Sequence, residues 1–189
     1  MLTTRKVNAP VPAYTRTAIA AHWLLGVLIL GQISIGFYVA DLPISIERLI
    51  WVSRHKALGV TILVLMLLRL GWRLTHSPGP YFRELPAWQS WLSRSVHWLL
   101  YILVIAVATS GWLFASASGL TVNWFGFFLV PDLIDKSKEW ASVFKLIHST
   151  AATTLGAALT IHISAALWHG FIKRDGVLER MWFKTGSKT

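Results

Sequence analysis

The chain has 189 residues, 54% of them hydrophobic and only 14% charged, with a formal net charge of +10 and no cysteine. Its mean hydropathy of +0.55 excludes an ordinary soluble domain of this length, which would carry more charge. The missing cysteine excludes disulfides, thiolate-held iron–sulfur clusters and C-x-x-C-H attachment of c-type haem, so a metal cofactor has to be held by histidine, carboxylate or methionine.

The apolar residues gather into four runs, 18–40, 57–72, 96–117 and 143–172. Each supplies the roughly 20 residues a membrane-spanning helix needs, the second by including its flanking Arg and His. No ten-residue alternation points to a barrel. The expected fold is all-α: a four-helix transmembrane bundle running up-down-up-down.

Residues 1–14, with Pro10 and Pro12, read as a disordered basic lead-in. Span one begins near residues 15–17 and carries His22 one turn inside, followed by Trp23 at the interfacial belt. Its apolar run is too long for a signal-peptide core and ends without a small-x-small cleavage site, so it reads as a retained span. Asp41, Leu42 and Pro43 close it. Span two opens with Ser53, Arg54, His55 and Lys56, and Arg69 follows His55 by fourteen residues, on the same helix face. Pro78, Pro80 and Pro86 break the connection that follows. His76 there reads as solvated, and Trp88 and Trp91 place part of the connection on the membrane surface.

Span three starts near Arg94, with His97 one turn in. Gly111 and its small neighbours Ser110, Ala115, Ser116 and Ala117 allow close helix packing or room for a flat cofactor. Residues 120–134 are apolar and aromatic but interrupted by Gly126 and Pro131, which fits a short interfacial segment better than a fifth span. Span four holds His148, His162 and His169 before Lys173, Arg174, Asp175 and Gly176 end it. Residues 15–181 form one four-span domain on this reading, with 182–189 as a basic tail.

Twelve of the eighteen Lys/Arg and only three of the eight acids fall at the two termini and around the connection between spans two and three. The positive-inside rule therefore puts both termini in the cytoplasm. The basic charge reads as topology and as attraction to anionic lipid, not as a nucleic-acid surface.

Ionisable groups inside spanning helices are costly and default to functional readings. His148 and His162 are fourteen residues apart, which on a helix means nearly the same face and about 21 Å of axial separation. Span four thus offers one imidazole near each membrane surface. Up-down topology matches His148 with His55 on the periplasmic side, and His162 with either His22 or His97 on the cytoplasmic side; spacing alone leaves that choice open. A single intramembrane histidine is accounted for by a hydrogen bond across helices, whereas two matched layers call for a shared cofactor.

Paired imidazoles without carboxylate or thiolate neighbours suit haem iron better than zinc, which takes four ligands or three and a water. Bis-imidazole coordination leaves no open iron site and fits electron transfer. Arg69, Arg73 and Arg94 on the inner side, and Arg54, Lys56 and Lys145 on the outer side, are the cations available for haem propionates or for attracting an anion. His97 and His169 are polar groups at the cytoplasmic margin where a quinone head or a propionate could sit.

The stretches AHWLLG, RHKALGVTILVLMLLRL, HWLLYILVIAVATSGW and KLIHSTAATTLGAALTIHISAALWHGFIKRDGVLERM resemble the bacterial cytochrome b561 family, and also the b-type subunits that anchor hydrogenases and formate dehydrogenases. The resemblance spans residues 14–181 and implies two non-covalent haem b groups in the bacterial inner membrane. By the family pattern one haem falls to His22 and His162 and the other to His55 and His148, leaving His97 beside a ligand or a quinone. Where some relatives carry two consecutive histidines, this chain has His169 and Gly170.

The activity the resemblance implies is electron transfer between a periplasmic donor, superoxide, and ubiquinone, with His97 and His169 delivering protons during quinone reduction. A quinone-linked cytochrome subunit serving a periplasmic redox protein is the alternative. A non-haem transporter or scaffold is the alternative of another class.

Overall fold

The computed structural model describes residues 14–76 and 86–182; the lead-in, the Pro78–Pro80 stretch and nearly all of the basic tail lie outside them. Four long helices make up the body: α1 (Arg16–Asp41), α2 (Ile46–Thr75), α3 (Ala87–Ala117) and α4 (Lys138–Leu167). Each is long and apolar enough to cross a membrane.

Their ends follow from local chemistry. The hydroxyls of Thr15, Ser45 and Ser137 accept hydrogen bonds from the backbone N–H groups of Ala18, Arg48 and Trp140, capping α1, α2 and α4. Pro86 precedes α3, where its missing N–H costs nothing. At the far end of α3 the N–H groups of Gly119 and Leu120 bond the carbonyls of Ser116 and Ala115. That is a Schellman closure, and it requires the positive φ of 69° that Gly119 supplies.

Two boundaries differ from the sequence expectation. Helix α2 begins at Ile46 and not near Ser53, because the charges of Glu47, Arg48 and Arg54 lower hydropathy without disfavouring helix. Helix α3 begins at Ala87 and not near Arg94, so Trp88 and Trp91 stand on its first turns and belong to no separate surface segment.

The segment after α3 forms a two-stranded antiparallel hairpin, β1 (Val122–Trp124) and β2 (Phe128–Val130), with Val122 opposite Val130. Phe125 and Gly126 both have positive φ, 51° and 86°, as the tight turn demands, and Asn123 Oδ1 accepts from the Gly126 N–H. Val122, Val130 and Ala115 form a small core beneath it. Trp124 Nε1 donates to Thr61 Oγ1 at 3.0 Å, and Lys56 Nζ donates to the carbonyls of Leu120 and Thr121 at 3.0 and 3.1 Å. These bonds fasten the hairpin along α2.

The main core joins Leu25 and Ile29 of α1, Ile62 and Met66 of α2, Tyr101 and Val104 of α3, and Leu155 of α4. Close packing runs between consecutive helices, α1 on α2, α2 on α3 and α3 on α4; neither α1 nor α2 packs closely on α4. A seam is left on that side of the bundle, and the histidines stand in it. The outward faces, among them Val27, Phe37, Leu68, Ile102 and Ile161, are exposed and apolar, as lipid contact requires. Four antiparallel helices bring both ends of the described chain to one margin, where Trp23 Nε1 donates to the Met181 carbonyl at 2.7 Å. This is the terminal margin; the opposite one is the hairpin margin.

Candidate functional site

At the hairpin margin His55 of α2 faces His148 of α4, their ring centres 6.2 Å apart and their planes at 89°. His148 Nδ1 lies 2.8 Å from the Val107 carbonyl. Only a protonated nitrogen satisfies that acceptor, so the lone pair is left on Nε2. Gly111 allows the approach: a Cβ there would lie 2.9 Å from both Cε1 and Nδ1 of the His148 ring. Gly36 does the same for His55, whose Cε1 would be 3.2 Å from an added Cβ. Gln32 of α1 donates to the His55 carbonyl at 2.9 Å. His55 Nδ1 is buried without a hydrogen-bond partner among the described residues.

At the terminal margin His162 of α4 meets two histidines. Its ring centre is 6.3 Å from that of His22, with planes at 76°, and 5.3 Å from that of His97, with planes at 82°. His97 Nδ1 donates to the Ser93 carbonyl at 2.6 Å. Arg69 bridges α2 to this group: its Nε donates to Tyr101 Oη at 2.9 Å and a terminal nitrogen donates to His22 Nδ1 at 3.3 Å. Its other terminal nitrogen is buried with no partner among the described residues. Arg73 places its guanidinium 5.7 Å from the centre of the Tyr101 ring. Two cations and a phenol therefore line one side of the terminal-margin histidines.

The separations carry chemical information. An imidazole nitrogen lies about 1.1 Å from its ring centre and bonds a metal at about 2.0 Å, so two rings bonding one metal atom from opposite sides stand roughly 6.2 Å apart. Both the His55–His148 and the His22–His162 pairs match. His97 at 5.3 Å from His162 is too close to share an atom with it that way. Among the described residues no group of three or more His, Asp or Glu gathers as a metal site. What each margin offers is two imidazoles from facing helices at a separation that fits a flat metallated ring held between them.

The remaining expected residues divide. Arg54 stacks its guanidinium over Trp51 at 5.0 Å and, like Lys145, is exposed near the hairpin-side pair. Lys56 is committed to the hairpin carbonyls and is drawn away from the seam. Arg94 stands on an exposed face of α3 with Trp91 and Trp98 along an open groove. His76 is exposed and stacks on Trp72. His169 lies not in regular α-helix but in a π-helical turn, Trp168–Lys173, where Nδ1 contacts Asp175 Oδ2 at 2.5 Å.

Sequence reasoning did not single out Gly36, Gln32 or the Asp175 partner. Gln32 carried a readable signal, a lone amide inside an apolar span; a glycine in such a run carries none until the ring opposite it is known.

The family model described as Prokaryotic cytochrome b561 matches residues 13–184. The chain belongs to the prokaryotic cytochrome b561 family. Among its relatives, Cytochrome b561 homolog 2 of Escherichia coli (strain K12) is 28% identical over 176 residues, covering 89% of this chain and 90% of that protein. Cytochrome b561 homolog 1 of the same organism is 28% identical over 173 residues, covering 89% and 96%. A Yersinia pestis protein described as probable superoxide oxidase CybB is 27% identical over 170 residues, covering 89% and 94%. Membership makes this chain a multi-pass bacterial membrane protein of electron transfer that takes b-type haem, and sets the non-haem transporter or scaffold aside.

Proposed function

We propose that this cytochrome b561 holds two haem b groups, one between His22 and His162 and one between His55 and His148, and passes electrons from periplasmic superoxide to ubiquinone across the inner membrane. The observation that carries the reading is the matched pair of ring separations, 6.2 and 6.3 Å, at opposite ends of α4. Haem b held by two imidazoles supplies a one-electron carrier with no open iron position.

The chain's own residues do the rest. His148, oriented by the Val107 carbonyl, presents Nε2 to the seam, and Gly111 and Gly36 leave space for the rings. His22 Nδ1 accepts from Arg69; as a haem ligand through Nε2 it would carry its ring proton on Nδ1, and the Arg69 guanidinium would then be available to a propionate. The buried Arg69 nitrogen, without a partner among the described residues, and the nearby Arg73 favour anionic groups at this margin. At the hairpin margin exposed Arg54 and Lys145 raise the encounter rate of a small anion, partly opposed by Asp132, Asp135 and Glu139. With the termini in the cytoplasm, as the positive-inside rule places them, this margin is periplasmic. Ubiquinone is reduced at the opposite margin, near His97 and His169. Each quinone takes two electrons, from two superoxide ions oxidised to dioxygen, and two protons from the cytoplasm.

The Yersinia pestis relative's description supports superoxide as donor. The test is a superoxide pulse to the purified oxidised protein: the α band of reduced haem should rise within the pulse and decay when ubiquinone is added. No change in that band overturns the donor. A second reading, a periplasmic redox protein as donor, is favoured by the exposed Phe125, Phe127, Phe128 and Leu129 of the hairpin. Copurification of such a protein, together with an unchanged spectrum under superoxide, would establish it.

A further inference from the structure

From the contact between His169 and Asp175 we infer that Asp175 is a positioning residue for quinone protonation, and that the folded-back segment after α4 exists to hold it there. The inference rests on the proposed role of His169 and extends it to a second residue and to the backbone behind it.

The local geometry is unusual in four connected ways. The last helix loosens into a π turn over Trp168–Lys173, with His169 as its second residue. Arg174 and Gly176 then adopt positive φ, 51° and 78°, reversing the chain within three residues. The reversal brings Asp175 back beneath the helix, where Oδ2 meets His169 Nδ1 at 2.5 Å while Oδ1 accepts from the Val177 N–H at 3.3 Å. Leu178 then packs so close to Gly170 that an added Cβ would collide with its side chain. A Cβ at position 170 would require the Leu178 side chain to move.

The segment is also anchored at its far end. The Met181 carbonyl accepts from Trp23 Nε1 at 2.7 Å, and Trp182 packs edge-on against the Trp23 ring at 5.8 Å. Trp23 is the direct neighbour of His22. The return therefore spans from the end of α4 to the inner histidine pair, and Asp175 is one of its fixed points.

The chemistry follows from the inventory of imidazole. Nδ1–H donates to the carboxylate, which fixes both the ring's orientation and its tautomer and leaves Nε2 as the nitrogen that gives and regains a proton. Each proton leaves Nε2 for a quinone oxygen. The two electrons that reduce the ring are those released by two superoxide ions as they become dioxygen.

The experiment uses the full-length haem-loaded protein in lipid nanodiscs, with a short-chain ubiquinone as acceptor. Four proteins are compared: wild type, His169→Gln, Asp175→Asn and Asp175→Glu. Loss of a positioned proton donor in His169→Gln should slow quinone reduction about 100-fold and misorientation in Asp175→Asn about 10-fold, with Asp175→Glu recovering to within about threefold of wild type. The loss should fall on kcat with KM little changed, and the solvent deuterium isotope effect should grow in Asp175→Asn. In protein labelled with nitrogen-15 histidine, the ring resonance that disappears in His169→Gln should shift in Asp175→Asn and return in Asp175→Glu. That last readout does not depend on turnover.

Unchanged quinone reduction in His169→Gln would remove the reading on which the inference rests. Slow His169→Gln with Asp175→Asn at the wild-type rate, or a His169 resonance indifferent to Asp175, would overturn the inference alone.

Discussion

The two histidine layers are built on different principles. At the hairpin margin the rings are fitted by shape: Gly36 and Gly111 make the space, and one backbone carbonyl orients His148. At the terminal margin the rings are surrounded by charge: Arg69, Arg73, Tyr101 and a third histidine crowd His22 and His162. A site defined by shape is sensitive to volume and tolerant of changes in distant charge; a site defined by charge is the reverse. On the proposed function, the hairpin-side layer would hold a cofactor rigidly near a small diffusing donor, and the terminal-side layer would handle anionic groups and protons.

The sharpest break in this comparison is His148→Ala. It should lower the haem content from two to one per chain and abolish reduction by superoxide, while the remaining haem keeps its absorption. Haem assay and an optical spectrum check both. Next comes a change that touches no proposed ligand: Gly111→Leu inserts a side chain where even a Cβ would sit 2.9 Å from the His148 ring. Overpacking of that kind costs about 1–3 kcal/mol, so outer haem affinity should fall roughly 10- to 100-fold with the inner haem intact. Haem retention during dialysis against apomyoglobin reads this out.

The complementary change at the inner layer is electrostatic. Arg69→Gln should leave both haems bound and lower the inner potential by about 60 mV, equivalent to a tenfold change in a one-electron equilibrium, because a cation favours the reduced state. Redox-titrated spectra measure it. The smallest effects belong to the surface. Arg54→Gln combined with Lys145→Gln should slow superoxide entry by about tenfold at low ionic strength and much less at 0.5 M salt, as screening requires. Lys56→Met should change that rate less than threefold, because its ammonium is already committed to Leu120 and Thr121.

The layered histidines were legible in the sequence because helix periodicity turns fourteen residues into one face and a fixed rise, and because polar groups stand out in apolar runs. The four spans were legible for the same reason. What hid the first turns of α2 was charge: Glu47, Arg48 and Arg54 reduce hydropathy but are good helix formers. What hid the first turns of α3 was polarity between Gln89 and Arg94 following a proline. The hairpin was obscured because an apolar aromatic run fits strand, helix or interface equally well, and its turn rests on Phe125, a residue rarely found at positive φ. The choice between His22 and His97 was not legible, because both rings lie beside His162, at 6.3 and 5.3 Å, and helix periodicity does not resolve a difference of that size.

The account stands or falls most directly on counting haem in the purified protein while recording low-temperature electron paramagnetic resonance of its oxidised form. Two haem b per chain, both low-spin, is the result it predicts, with one of the two lost in His148→Ala and the other in His22→Ala. A single haem per chain, a high-spin iron in the wild type, or a His22→Ala variant that keeps both groups while His97→Ala loses one, would contradict it.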